Sequence, residues 1–146
     1  MDLLKLMNKI KFYFFIFLFT CFFSSVLYAE KNYFAEGEGF FLKKNLAKSK
    51  LKFEKDIVFN PKNEKSYLYL AKIYKLENND KFQEQNLNTV ILLDPKNEEG
   101  LYLLTLLKLK QSDYERSKEL IKIFTKVCKN LCKKESELRE KFKNLK

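Results

Sequence analysis

Two cysteines near the carboxyl end are the residues of this chain whose type and spacing could do chemistry. Cys128 and Cys132 stand four residues apart, so on a helix they share one face. They could form a disulfide where a helix bends or ends. Paired thiols could instead act in redox chemistry, hold Cu(I) or stay buried and reduced. We favour the structural disulfide, because neither a histidine nor a nearby methionine supports a metal site.

The remaining composition argues against the common catalytic sites. The chain has no histidine, which excludes Ser-His-Asp and Cys-His catalysis and His-ligated metal or haem. The three glycines, Gly37, Gly39 and Gly100, do not form a phosphate-binding loop. The close carboxylates of the carboxyl-terminal third are typical of a solvated helix surface. We therefore predict a non-enzymatic protein with no catalytic residue, no bound metal and no cofactor.

The first 29 residues have the order of a bacterial secretory signal. Lysines are followed by an apolar run from Phe12 to Phe23 and then by small residues ending at Ala29. We predict cleavage after Ala29 and export to the periplasm. An oxidising compartment of that kind favours the disulfide.

Two other interpretations of this segment remain open. Residues 12–29 are near the lower limit of length for a membrane span, so an uncleaved inner-membrane anchor is the second. The third is a lipoprotein signal that ends at Cys21.

The chain after residue 29 is long enough for one small domain and is strongly basic. The net charge of the whole chain is +10, and lysine supplies most of the excess. With three glycines and two prolines, there is little material for a turn-rich β fold. The composition therefore favours an all-α domain over residues 30–146.

A repeat with a period of 34 residues organises this domain. Pro61 and Pro95 stand in matching strings, FNPKNEKSYLYL and LDPKNEEGLYLL. Between them, apolar residues recur at helical spacing on both sides of a polar break at 77–80. A copied unit of this length predicts stacked helix-turn-helix pairs that share one core.

The residues of the middle unit resemble the tetratricopeptide repeat (TPR) family. Its matching positions are Tyr67, Leu70, Ala71, Tyr74, Leu87 and Pro95. Gln83 departs from the pattern, because the family prefers alanine there, and Val90 matches only approximately. The resemblance implies a right-handed α-solenoid, with units at about 30–63, 64–97 and 98–131.

The two outer units fit the same register less completely. The first matches at Tyr33, Gly37, Phe40, Ser49, Phe53 and Pro61. It departs at Glu36 and Asp56. The third matches at Leu101, Leu104, Thr105, Ser117 and Ile121, and residues 112–115 resemble the turn of the family. Lys129 stands where the closing proline would be, so we predict that the array ends near residue 130.

The resemblance also implies a concave groove that binds a protein or peptide segment. Carried over position by position, the lining residues are Phe34, Glu38, Phe41, Lys65, Leu68, Lys72, Lys75, Glu99, Tyr102 and Leu106, with Leu109 beyond them. This predicts a groove that is apolar at both ends and basic in the middle, suited to a partly acidic peptide. Leu68, Glu99 and Leu103 occupy places where polar or basic residues would grip a carboxyl-terminal chaperone tail, so we disfavour that ligand.

A basic amphipathic tail follows the array. We predict a capping helix over 133–146, with Leu131, Leu138, Phe142 and Leu145 near one face. The tail carries eight Lys and Arg and three Glu from Lys126 onward, so it could contact anionic lipid. An export signal argues against nucleic acid as a partner. The sequence predicts an adaptor of the bacterial cell envelope; a thiol-redox or metal-carrying accessory protein and a membrane-tethered assembly factor are the alternatives.

Overall fold

The computed structural model describes residue 7 and residues 10–17 and 32–145, in two compact units, Met1–Lys31 and Asn32–Lys146. In the first unit, residues 10–17 form a helix whose apolar side chains are exposed. The predicted cleavage site at Ala29, the lipoprotein site at Cys21 and most of the predicted anchor lie outside the described residues. Within the described ranges, no helix combines the length and apolar character needed to cross a bilayer.

The second unit contains seven helices between residues 32 and 145. They are α1 (Tyr33–Leu42), α2 (Leu46–Phe59), α3 (Glu64–Leu76), α4 (Asp80–Leu93), α5 (Glu98–Lys110), α6 (Tyr114–Val127) and α7 (Lys134–Leu145). The first six pack as three consecutive pairs. The second helix of one pair packs against the first helix of the next, and α7 packs against α5 and α6. This all-α architecture of three pairs and a capping helix is the predicted one.

The turn inside each pair has the same backbone at each 34-residue step. Lys44, Asn78 and Ser112 have φ angles of 57°, 55° and 59°, the left-handed region that ordinarily favours glycine. The residue after each of them caps the next helix, because a side-chain oxygen accepts a backbone N–H three residues on. The polar break at 77–80 therefore is the predicted turn.

The two connections between pairs use different chemistry at equivalent positions. At the first, Asp56 is buried and accepts hydrogen bonds from Asn60, from the Asn63 amide at 2.6 Å and from the Ser66 hydroxyl at 2.5 Å. Asn63 precedes α3 but makes no capping bond to it, because its amide is turned toward Asp56. Asp56 departs from the family pattern because it organises this connection.

At the second connection, Val90 and Gly100 stand 34 residues beyond Asp56 and Ser66. A Cβ atom on Gly100 would lie 2.7 Å from Val90 Cγ1, so the two helices approach too closely for any side chain there. Asn97, the counterpart of Asn63, accepts the Gly100 N–H at 2.9 Å and caps α5. An apolar contact thus replaces the hydrogen-bonded cluster.

The core has an aliphatic and an aromatic part. The larger, centred on α5 and α6, is built mainly from leucines and includes Ala71, Leu87 and Leu104. The smaller lies where the first two pairs meet, with Phe53, Leu70 and Ile73 at its centre and half-buried rings around it. Gln83, at the position where the family prefers alanine, is also buried.

The capping helix begins one residue later than predicted, and its apolar face is shorter. Leu138 is fully buried and Phe142 is half-buried against the aliphatic core. Leu145, predicted on the same face, is 49% exposed, because it lies in an open cleft between α5 and α7. Between α6 and α7, the sulfur atoms of Cys128 and Cys132 lie at disulfide distance, with Cα atoms 5.2 Å apart. Helix α6 ends at Val127, which provides the break that the pair requires.

Candidate functional site

A groove of about 490 Å³ runs across the first helices of the three pairs. Residues of α1, α3 and α5, the approach to α5 and the segment after α6 form its walls. Six of the predicted groove residues line it: Phe34, Glu38, Lys65, Leu68, Lys72 and Glu99. The structure therefore brings most of the predicted set to one surface.

Tyr69 forms the aromatic wall of this groove, and the sequence did not single it out. Its ring stacks on Phe53, with ring centres 4.8 Å apart and planes 14° from parallel. Phe34 and Phe41 contact the same ring edge-on, at 5.8 and 5.1 Å. Phe41 thus supports the wall instead of lining the groove. Edge-on and offset contacts of this kind add to the stability that area burial provides.

Polar bonds link the helices across the groove. The Tyr69 hydroxyl donates to Glu38 Oε1 at 2.8 Å, which joins α3 to α1. Partial burial, that hydrogen bond and the negative charges of Glu38 and Glu99 raise the pKa of Tyr69 to about 12, so the phenol stays protonated at neutral pH. Lys72 lies over the Tyr69 ring at 4.7 Å and pairs with Glu99 at 2.9 Å, which joins α3 to α5.

The charge of the groove differs from the prediction of a basic middle. Three lysines line it, Lys65, Lys72 and Lys96, against five carboxylates, so the lining is net −2. The carboxylates are Glu38, Glu64, Asp94, Glu98 and Glu99. The prediction took one helix position in each turn, so it included Glu38 and Glu99 but missed Glu64, Asp94 and Glu98. On a chain of net charge +10, this is a locally acidic surface.

The capping helix covers the far end of the predicted groove. The Tyr102 hydroxyl donates to Glu137 of α7 at 3.0 Å, and Lys134 lies 5.4 Å above the Tyr102 ring. Burial and the bond to Glu137 raise the pKa of Tyr102. Leu106 lines a separate cleft between α5 and α7 that also contains Leu109. Tyr102 and Leu106, both predicted to line the groove, therefore lie beside the capping helix instead. Lys75 is exposed in the last turn of α3, outside the groove lining.

The disulfide loop forms part of the groove wall. Glu98, in the first turn of α5, accepts the backbone N–H groups of Asn130 at 3.0 Å and Leu131 at 2.7 Å. Both donors lie between Cys128 and Cys132. These bonds, led by the one from Leu131, lower the pKa of Glu98. The cysteine pair therefore shapes a loop whose backbone binds α5.

Comparison with known proteins identifies the fold. No protein-family model matches the chain, and no curated protein matches it. Solved structures do match. The first TPR of Spaghetti (RPAP3) bound to the HSP90 peptide SRMEEVD superposes with a TM-score of 0.68 at 15% identity, over 77% of this chain and 92% of that one.

Two further solved domains give the same result. The Sgt2 TPR domain from Aspergillus fumigatus has a TM-score of 0.65 at 16% identity, over 77% of this chain and 78% of its own. The TPR2B domain of yeast Sti1, solved in a complex with pHsp70, has a TM-score of 0.66 at 14% identity, over 79% and 94%. The chain therefore has the fold of a tetratricopeptide-repeat domain. This confirms the predicted α-solenoid.

Proposed function

We propose that the chain is a non-enzymatic scaffold that binds a segment of another protein in the groove between α1, α3 and α5. The observation that carries this proposal is the preformed aromatic wall, in which Tyr69 is held by Phe53 on one side and by Glu38 at its hydroxyl. Binding that finds its contacts already ordered loses less conformational entropy. Similar folds that hold peptides, such as the domain solved with SRMEEVD, support the same use of the surface.

The electrostatics of the groove favour a neutral or basic segment with an apolar side chain to place against Phe34 and Tyr69. A lining of net −2 would repel the acidic residues of a peptide such as SRMEEVD. Leu68 and Leu103, each 7% exposed, are buried aliphatic side chains without a donor for a carboxylate. The proposed ligand therefore differs from the partly acidic peptide that the sequence predicted.

Site-specific photo-crosslinking in the native host tests this function. A photoreactive side chain is placed at Lys65, on the rim of the groove, and at Leu92, which is 80% exposed and does not line it. We expect one discrete cross-linked partner from Lys65 and none of that mass from Leu92. The same products from both positions would exclude the groove as the binding surface.

A charge-reversal pair then tests the sign of the ligand. Glu64→Lys removes the net negative charge of the groove, and Glu140→Lys makes the same change at an exposed position of α7. With the cross-linked segment as a synthetic peptide, we expect Glu64→Lys to weaken binding several-fold and Glu140→Lys to leave it unchanged. Tighter binding by Glu64→Lys would restore the acidic-peptide interpretation.

We also propose that the protein works in a bacterial cell envelope, exported by the segment 1–29. The order of lysines, apolar residues and small residues supports this, as does the exposed apolar helix at 10–17. Mass spectrometry of the protein from its host decides between forms. A mature terminus at Glu30 supports the exported adaptor, and an intact terminus supports the membrane-tethered alternative.

A further inference from the structure

A second cleft lies away from the groove, between α6 and α7. It measures about 770 Å³, and its floor includes the apolar side chains of Ile121 and Phe142. Five cations stand around it, Lys118, Lys122, Lys126, Arg139 and Lys143, against Glu115 and Glu119. The lining is net +3, opposite in sign to the groove.

Three of these lysines form a ridge on α6. Lys118, Lys122 and Lys126 are spaced four residues apart, so they follow one face of the helix. They and Lys143 form no ion pair with any residue in the described ranges, whereas Glu119 is already paired with Arg116 at 2.5 Å. Like charges at this spacing repel one another. An anionic partner would remove that repulsion.

The position of the cleft indicates the shape of the occupant. In the first three pairs, each first helix has a second helix packed beside it. Helix α7 packs on α6 as the first helix of a further pair would, and it also contacts α5. The described residues contain no second helix beside it. The cleft has an apolar floor along the ridge, as a helix-binding surface requires.

We propose that the α6–α7 cleft binds an acidic amphipathic helix of a partner protein, independently of the groove. The apolar face of that helix packs on Ile121 and Phe142, and its carboxylates lie along the ridge. A second copy of this chain fits poorly, because the same face would bring a second set of unpaired lysines. The two surfaces would let one molecule bind two segments of opposite charge.

Fluorescence anisotropy with a designed peptide tests the proposal. The probe is an amphipathic helix of about 15 residues, with leucine at i, i+3, i+4 spacing and glutamate elsewhere. Its control has the same composition, with the leucines spread around the helix so that no face is apolar. We expect the acidic probe to bind the purified folded chain, more weakly as salt is added, and the control not to bind. Equal binding of both probes would overturn the proposal.

Matched triple variants locate the site. Lys118→Glu/Lys122→Glu/Lys126→Glu is compared with Lys43→Glu/Lys62→Glu/Lys81→Glu, the same charge change at exposed lysines outside the cleft. We expect the first to weaken the acidic probe at least tenfold and the second to weaken it less than threefold. Equal losses would show a non-specific charge effect. Circular dichroism confirms that each variant is folded.

A vesicle-binding assay distinguishes a helical protein ligand from a membrane surface as the occupant of the cleft. Phosphatidylglycerol vesicles are compared with phosphatidylcholine vesicles on the same variants. Ridge-dependent binding to the anionic vesicles, without binding of the acidic helix, would overturn the proposal in favour of a lipid surface. Binding of the helix with no dependence on the ridge would overturn it as well.

Discussion

The first and third pairs share one register but fill it with different residues. At the contact between the two helices of a pair, the first has Gly37 and Phe53, and the third has Thr105 and Ile121, 68 residues (two periods) further along. A Cβ atom on Gly37 would lie 2.7 Å from the Phe53 ring, so the absent side chain makes room for the ring. The smaller side chain on the first helix is thus matched by a larger one on the second, as close packing requires.

This exchange has a functional consequence only in the first pair. The Phe53 ring is large enough to reach Tyr69 of the next pair and stack on it. The positions equivalent to Tyr69 are Ala35 and Leu103, and neither provides an aromatic wall. The groove wall therefore depends on Gly37 of α1, because the missing side chain makes room for the ring that supports Tyr69.

Truncation of the two equivalent core residues, Phe53 and Ile121, should destabilise the fold most. We expect Phe53→Ala to cost about 3–5 kcal/mol and Ile121→Ala about 2–5 kcal/mol in the free energy of unfolding, because both leave a cavity. Phe53→Ala should open α1 and α2 locally, since a terminal pair has one neighbour only. Hydrogen exchange measured by mass spectrometry should show lost protection at 33–59 and retained protection at 98–127. A uniform loss in both variants would contradict the comparison.

Replacement of Gly37 by alanine should have the next largest effect on the free energy of unfolding. We expect Gly37→Ala to destabilise by about 1–3 kcal/mol, because the new methyl displaces Phe53. Binding in the groove should weaken too, because the Tyr69 ring is stacked on Phe53 and would move with it. Gly39→Ala is the matched control: it meets nothing within 4 Å and should stabilise by about 1 kcal/mol through helix propensity. Urea denaturation measures both. Destabilisation by both would remove the packing explanation.

Substitutions in the turns inside the first and second pairs should change stability less. Lys44 of the first pair and Asn78 of the second have the same left-handed backbone. We expect Lys44→Gly to stabilise by about 0.5–1 kcal/mol, because lysine is strained there. Asn78→Gly should have less effect, since asparagine tolerates this region. Thermal unfolding measures the two. An equal response would show that strain is not what distinguishes the turns.

Acid should loosen the carboxyl-terminal end of the array, where α5 contacts the 128–132 loop and α7, before it affects α1 and α2. Hydrogen bonds to Glu98, first from Leu131, and to Glu137, first from Lys134, lower the pKa of each carboxyl below its ordinary 4.5. Their contribution is therefore complete above pH 4.5 and lost as the pH falls through the lowered pKa. Peptic cleavage should begin near 128–134. Glu98→Gln should raise the pH of that cleavage, and Glu140→Gln should not. Earlier cleavage in α1 would contradict this order.

The sequence predicted the helices well because the register repeats at each turn and connection. The polar break at 77–80 and the turn residues at 112–115 stand where the structure ends one helix and begins the next. Lys44 had no local signal for a left-handed turn; only its spacing from Asn78 and Ser112 indicates it.

The site was harder to predict from the sequence, because it depends on contacts between repeat units. Tyr69 becomes a wall only through Phe53 and Glu38, which lie 16 and 31 residues away. The acidic character arises from Glu64 and Glu98 at helix starts and Asp94 at the end of α4, which the groove positions do not include. The cap over Tyr102 likewise depends on how α7 packs.

The hydrogen-bonded cluster at Asp56 fixes the order of the repeats. Deleting residues 64–97, one full period, would leave the helical register intact and place Asp56 opposite Gly100. Glycine has no hydroxyl to replace the 2.5 Å bond from Ser66, so the buried carboxylate would lose a donor. The units are thus alike in length but not interchangeable. Deleting or reordering whole repeats would require new residues at the connections between pairs.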